Sequence, residues 1–200
     1  MSLVEGSITT AADERRIREI RDQSHILVTI GACATAGGIQ ALRNFADIDE
    51  FASVVYAKPE YVDTLATSTP ASAHVQVDYQ LQGCPIDRNQ LLDTLAALLV
   101  GREPRIPAKT VCTECKLRGG VTCVAVAEGI PCLGPVTHAG CGALCPAHHR
   151  GCYGCFGPAS TPNTAALIPL LNRDGMSEAG VERVFSTFNV TRFAAERNDG

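Results

Sequence analysis

Ten cysteines stand in this chain of 200 residues, and eight of them crowd between Cys112 and Cys155. They read as C-x2-C-x7-C-x8-C over Cys112, Cys115, Cys123 and Cys132, then as C-x3-C-x6-C-x2-C over Cys141, Cys145, Cys152 and Cys155. Four thiolates can hold a tetrahedral zinc ion or a 4Fe-4S cubane, so eight thiols divide into two sets of four. Zinc ribbons pair two CxxC knuckles about 15–20 residues apart. Each set here has a single CxxC and spreads its other cysteines over glycine and proline turns, as in VAEGIPCLGP and HAGCGALCP. Bends of that kind aim backbone N–H groups at sulfur, which helps set a cluster's potential. Spacing thus ranks iron-sulfur first and zinc second. Disulfides come third, because without an export signal the thiols are expected to face a reducing cytosol. His138, His148 and His149 lie among the cysteines and are read as solvated or supporting groups, since thiols already fill both sets.

Cys33 and Cys84 stand apart. Cys33 sits in the glycine-rich stretch GACATAGG directly after the apolar run ILVTI, and Cys84 sits in GCP directly after VQVDYQLQ. Alone, each reads as a small buried residue as readily as a ligand; their matching placement after a strand favours the ligand. Neither has a nucleophile's equipment, with no histidine or carboxylate motif beside Cys33 and only Asp87 near Cys84.

The elements that must position these thiols follow from periodicity. TTAADERRIREIRDQ predicts a helix with Thr10 as N-cap and Ile17 and Ile20 on its apolar edge. HILVTI predicts a buried parallel strand, with the glycine-rich turn carrying Cys33 after it. GGIQALRNF and IDEFASVVY predict helical turns, and VQVDYQLQ predicts a second strand. DRNQLLDTLAALLVG predicts the clearest helix, with Leu91, Leu92, Leu95, Leu98 and Leu99 as core and Gly101 beyond its end. Near the C-terminus, residues 165–171 read as a helix interrupted by Pro169, and SEAGVERVFSTF as one with Val181, Val184, Phe185 and Phe188 on one side. Alternating strands and helices predict an open parallel α/β sheet, whose ligands gather beyond the carboxyl ends of the strands. Cys33 and Cys84 would then share one sheet edge. The texture changes near residue 104, so residues 1–104 read as the α/β domain and 105–200 as a cysteine-rich domain with C-terminal helices.

Composition narrows the function classes. A net charge of −4, 5% aromatic residues and no tryptophan leave neither a basic patch nor stacking platforms for nucleic acid. No apolar run reaches the roughly 18 residues of a membrane span, so no membrane insertion is expected. Arg15-Arg16 is flanked by acids and reads as a solvated helix face rather than a twin-arginine signal.

Taken in order, VEGSITT, GACATAGGIQALRNF, VDYQLQGCPIDRNQLL, CTEC, PCLGPVTHAGCGALCP and GCYGCFGP resemble the small subunit of nickel-iron (NiFe) hydrogenases. The resemblance runs from about Val4 to Pro158 and is nearest the cytoplasmic, bidirectional, nicotinamide-linked type, also called sulfhydrogenase delta subunit. The related 20 kDa subunit of respiratory complex I shares the first part and lacks the eight-cysteine segment. The resemblance implies a flavodoxin-like domain followed by two 4Fe-4S clusters. Cys112, Cys115, Cys123 and Cys132 would bind the distal one. Cys141, Cys145, Cys152 and Cys155 would bind the medial one, Cys145 standing where some relatives have proline and a three-iron cluster. Cys33 and Cys84 would be two ligands of a third, proximal 4Fe-4S cluster. The family's other two proximal ligands form a CxxC after a first strand, upstream of VEGS. That strand and turn are expected to be absent here, which leaves the sheet N-terminally truncated and the proximal site incomplete.

The implied partners are a NiFe-containing large subunit and flavin/NAD(P)-binding and ferredoxin-like electron-transfer subunits. No bond-breaking residue is expected in this chain. Two rival readings remain at this point: a zinc-stapled structural module, and an iron-sulfur subunit of a redox complex other than a hydrogenase.

Overall fold

Thr10 starts the first helix, α1 (Ala11–Gln23), by a reciprocal cap. Its hydroxyl accepts from the Asp13 N–H at 3.1 Å, and the Asp13 carboxylate accepts from the Thr10 N–H at 2.9 Å. The apolar edge expected of this helix buries Ile17 against Ile8, Leu27 and Ala71, with Ile20 partly buried beside them. The computed structural model of the chain describes residues 1–119, 122–173 and 175–198.

The sheet is parallel and three-stranded. β1 (Ser2–Val4) and β3 (Tyr79–Leu81) flank β2 (Leu27–Ile30), with Leu3 opposite Val28 and Gln80 opposite Thr29. Leu27, Val28 and Thr29 are fully buried, which fits a central strand covered on both faces. β1 is a strand that periodicity does not mark. The strand expected over 75–82 shortens to β3, because Asp78 opens it with a side-chain contact. Its carboxylate accepts from the Leu27 N–H at 2.7 Å and from Arg21 at 2.7 Å, and Arg21 holds its pKa below the usual range. Val75 and Val77 turn instead into the cluster around Ile17.

Beyond β2, α2 (Gly31–Ala36), a 3-10 stretch at Ile39–Phe45 and α3 (Ile48–Val55) follow in succession. α4 (Arg88–Leu99) is capped by Asp87, whose carboxylate accepts from the Gln90 N–H at 2.8 Å. Its leucines form the expected core only in part, with Leu91, Leu95 and Leu98 half-buried. The helix buries Thr94 and Ala97, while Leu92 is 51% and Leu99 77% exposed. Periodicity marks an apolar face, but only a neighbouring element can bury it, and this chain packs α4 by its small-residue edge.

Among the described residues, the cysteine-rich segment holds only short helices: α5 (Val111–Leu117), α6 (Val124–Ala127) and α7 (Leu144–Ala147). α8 (Thr164–Arg173) runs through Pro169 rather than breaking there, and α9 (Glu178–Phe185) and α10 (Val190–Asn198) follow. Leu167, Leu171, Val181, Phe185 and Phe193 of these helices enclose Leu133 and Val136 from the cysteine-rich segment. The rings of Phe185 and Phe193 meet edge to face, 5.6 Å apart. Among the described residues no helix is long and apolar enough to cross a membrane.

Candidate metal centre

Cys33 lies inside α2, not in the glycine-rich turn expected for it. Gly31, at φ +85°, turns the chain as β2 ends, and the helix starts at once; Gly37, at φ +83°, ends it. Cys33 and Cys84 line one open pocket at the carboxyl edge of β2 and β3, together with Glu5, Gly6 and Ile30. Burial, and then the neighbouring Cys33, raise the Cys84 pKa. Gln40 Oε1 stands 3.5 Å from the Cys33 sulfur.

Cys141, Cys145, Cys152 and Cys155 all line a second cavity of ≈ 170 Å³, and Cys84 lines it too. Phe156 fixes the turns around it. Its buried ring presses on the backbone at Gly83 and Gly140, where a Cβ would stand 2.6 Å and 2.9 Å from ring atoms, so the close approach requires glycine. Burial pushes the Cys155 thiol up to about 11; a Cys84 N–H donated to its sulfur acts the other way, and Cys141, Cys145 and Cys84 add negative neighbours. Cys141 is raised by burial, offset by the amides of Leu144 and Ala143. Cys152 is raised further by burial, although the Gly154 N–H reaches its sulfur at 3.5 Å.

The other quartet gathers at α5. Cys112 and Cys115 sit on that helix, Cys123 caps α6, and Cys132 is buried. A Cβ built at Gly134 would stand 3.3 Å from the Cys132 sulfur and 3.5 Å from that of Cys112, which places these two together. Burial pushes Cys112 up to about 11, with Cys132, Cys123 and Cys115 as further negative neighbours. The two quartets abut, because the Cys152 N–H donates to the Cys132 sulfur at 3.2 Å. The thiols therefore form one row: Cys33 and Cys84, then the 141–155 set, then the 112–132 set. Burial disfavours the thiolate at Cys84, Cys112, Cys141, Cys152 and Cys155, and a bound metal would displace their protons. Among the described residues, no three Cys, His, Asp or Glu side chains close on a point that would hold a single ion.

Sequence reasoning misses the residues that hold this row in place. Asn189 is fully buried, and its Nδ2 donates to the carbonyls of Gly154 at 2.9 Å and Cys155 at 3.1 Å. Thr187 donates to the Tyr153 carbonyl at 2.8 Å, and Thr191 to the Ala36 carbonyl at 2.9 Å. The start of α10 thus touches both the 152–155 turn and the end of the Cys33 helix. No local pattern marks these residues, since their partners lie tens to more than a hundred positions away. Of the histidines, His138 pairs with the Ala139 carbonyl at 2.7 Å and His149 stands 3.7 Å from Glu128; neither these nor His148 line either thiol pocket.

Residues 1–98 match the family of the NADH ubiquinone oxidoreductase 20 Kd subunit. The sulfhydrogenase 2 subunit delta of Pyrococcus furiosus is 34% identical over 188 residues, covering 94% of this chain and 78% of that protein. A subunit of the F420-non-reducing hydrogenase of Methanocaldococcus jannaschii is 37% identical over 182 residues, covering 78% of this chain and 63% of that protein. In fold, the chain is similar to a solved chain of the NiFeSe hydrogenase from Desulfovibrio vulgaris Hildenborough, with a TM-score of 0.52 at 18% identity over 81% of this chain and 71% of that one. With a third of its residues shared along most of the Pyrococcus protein, this chain belongs to the hydrogenase small-subunit family.

Proposed function

We infer that this chain is the electron-transfer subunit of a cytoplasmic NiFe hydrogenase, relaying electrons between a NiFe site in a large subunit and a flavin/NAD(P) partner. The observation that carries the reading is the continuous row of thiols from the sheet edge to α5. Cys141, Cys145, Cys152 and Cys155 fit a medial 4Fe-4S cluster: four sulfurs line a cavity, and backbone N–H groups are directed at three of them. Cys112, Cys115, Cys123 and Cys132 fit a distal 4Fe-4S cluster. Cys33 and Cys84 supply two ligands toward a third, proximal cluster, whose remaining ligands must come from elsewhere than the residues lining their pocket. Such clusters, when bound, supply one-electron chemistry.

The chain's own residues do the rest. Phe156 and Asn189 hold the turns, burial excludes water, and amides at sulfur favour the more negative state. The Cys33 end of the row has the features of a covered surface. Phe45, Phe51, Val54, Val55, Tyr56 and Tyr61 are all more than half exposed in the segment that follows α2, a concentration of apolar side chains that suits a large-subunit partner.

Gentle anaerobic isolation through a tag on this chain tests the assignment. A nickel-containing large subunit and a flavoprotein are expected to co-purify. Recovery with a redox complex that holds no nickel would transfer the reading to a different oxidoreductase, and a colourless protein holding only zinc would end it.

A further inference from the structure

The helix that carries one cysteine quartet also grips the loop that carries a ligand of the other. Glu114 lies between Cys112 and Cys115 on α5, with Arg118 four residues on, and residues at that spacing share a helix face. Glu114 Oε1 accepts from the Gly140 N–H at 2.9 Å, and its Oε2 accepts from the Ala143 N–H at 3.2 Å. Arg118 Nη1 donates to the carbonyl between them, that of Gly142, at 2.9 Å. The gripped loop is unusual. Gly140, Gly142 and Ala143 have φ values of +137°, +63° and +53°, and Ala143 is fully buried despite its left-handed backbone. A non-glycine residue in that region persists only where its surroundings hold it. Consecutive amides in such a turn form an anion-binding concavity, and the amides of Ala143 and Leu144 also reach the Cys141 sulfur. The Glu114 carboxylate stands 4.0 Å from that sulfur.

We propose that Glu114, backed by Arg118, is a positioning residue that clamps the Cys141 loop onto the Cys112–Cys115 helix and sets the charge felt at the 141–155 site. The charge part rests on the iron-sulfur reading above; the clamp does not. Glu114 thus ties one thiol set mechanically and electrostatically to the next, alongside the Cys152–Cys132 contact. Removing it frees two amides and a strained loop at Cys141. Neutralising it without shortening it keeps much of the geometry and removes one negative charge from the neighbourhood of a centre that must accept electrons.

The test uses the full chain. In metal-free protein, Glu114→Ala is expected to speed amide exchange at Gly140 and Ala143 about tenfold, as loss of one hydrogen bond implies, with Leu27 and Val28 of β2 unchanged as the internal reference. Unchanged exchange at both loop amides overturns the clamp. In anaerobically reconstituted protein followed by EPR during a redox titration, Glu114→Gln is expected to retain its iron and to shift the midpoint of the 141–155 centre upward. A midpoint that does not move, with iron retained, overturns the electrostatic role. A wild-type chain that takes up no iron defeats the functional reading instead, and the exchange result still decides the clamp.

Discussion

The two halves of this molecule are held together by different means. In the sheet half the buried cluster is Ile8, Ile17, Leu27 and Ala71, ordinary apolar side chains whose removal from water stabilises the fold whether or not anything binds. In the cysteine-rich half the corresponding cluster is Val111, Cys132, Ala143 and Cys152, so two of its four buried members are candidate ligands. Regular structure differs in the same way: α1 runs 13 residues with a reciprocal cap, whereas α6 and α7 have four residues each. Where the ligands are the core, binding and folding are one process. The C-terminal helices make up part of the deficit by enclosing Leu133 and Val136, and α10 fastens the 152–155 turn through Asn189.

The contrast can be broken most forcefully by removing metal. Stripping the reconstituted chain of iron under anaerobic conditions should lower, without abolishing, amide protection across 111–117 and 131–158 while α1 and β2 keep theirs. Hydrogen exchange read by mass spectrometry checks this, and equal loss in both halves would mean that the sheet depends on the clusters as well. Next in size is Phe193→Ala, which removes a fully buried ring packed on Phe185. It should cost about 3–5 kcal/mol in denaturant unfolding and reduce bound iron, because the same ring packs against Gly154. Asn189→Ala leaves the Gly154 and Cys155 carbonyls without their donor, at about 1–3 kcal/mol. Its distinguishing mark is faster loss of iron to a chelator, and an unchanged rate would reduce Asn189 to a packing residue. The smallest effect belongs to the other half. Thr10→Ala removes the α1 cap at about 1 kcal/mol and should leave iron content untouched.

What is legible in the sequence tracks the range of the interactions involved. Caps are local, so Thr10 can be placed at the start of α1 from a few neighbouring residues. The cysteine spacing and the alternation of strands with helices are also visible, and with them the α/β class and the family. The leucine face of α4 is visible too, but the exposure of Leu92 and Leu99 on it is not, because the residues that would have to cover them lie elsewhere in the chain or outside it. α10 escapes notice for a related reason. It is anchored by Asn189, Thr191 and Phe193, whose partners sit at Gly154, Ala36 and Leu133, and its remaining residues carry no strong apolar period. Cys33 reads as a turn residue because three glycines surround it; the structure uses Gly31 and Gly37 to bound a short helix instead.

The central claim, that the row of thiols carries iron-sulfur clusters, is tested most directly by iron and acid-labile sulfide counts with low-temperature EPR on the anaerobically reconstituted chain. The prediction is about eight iron atoms per chain in two magnetically interacting 4Fe-4S centres, with the signal of one lost in a Cys145→Ser variant and that of the other in Cys115→Ser. A chain that instead binds zinc, shows no visible absorption and gives no EPR signal after reduction contradicts it.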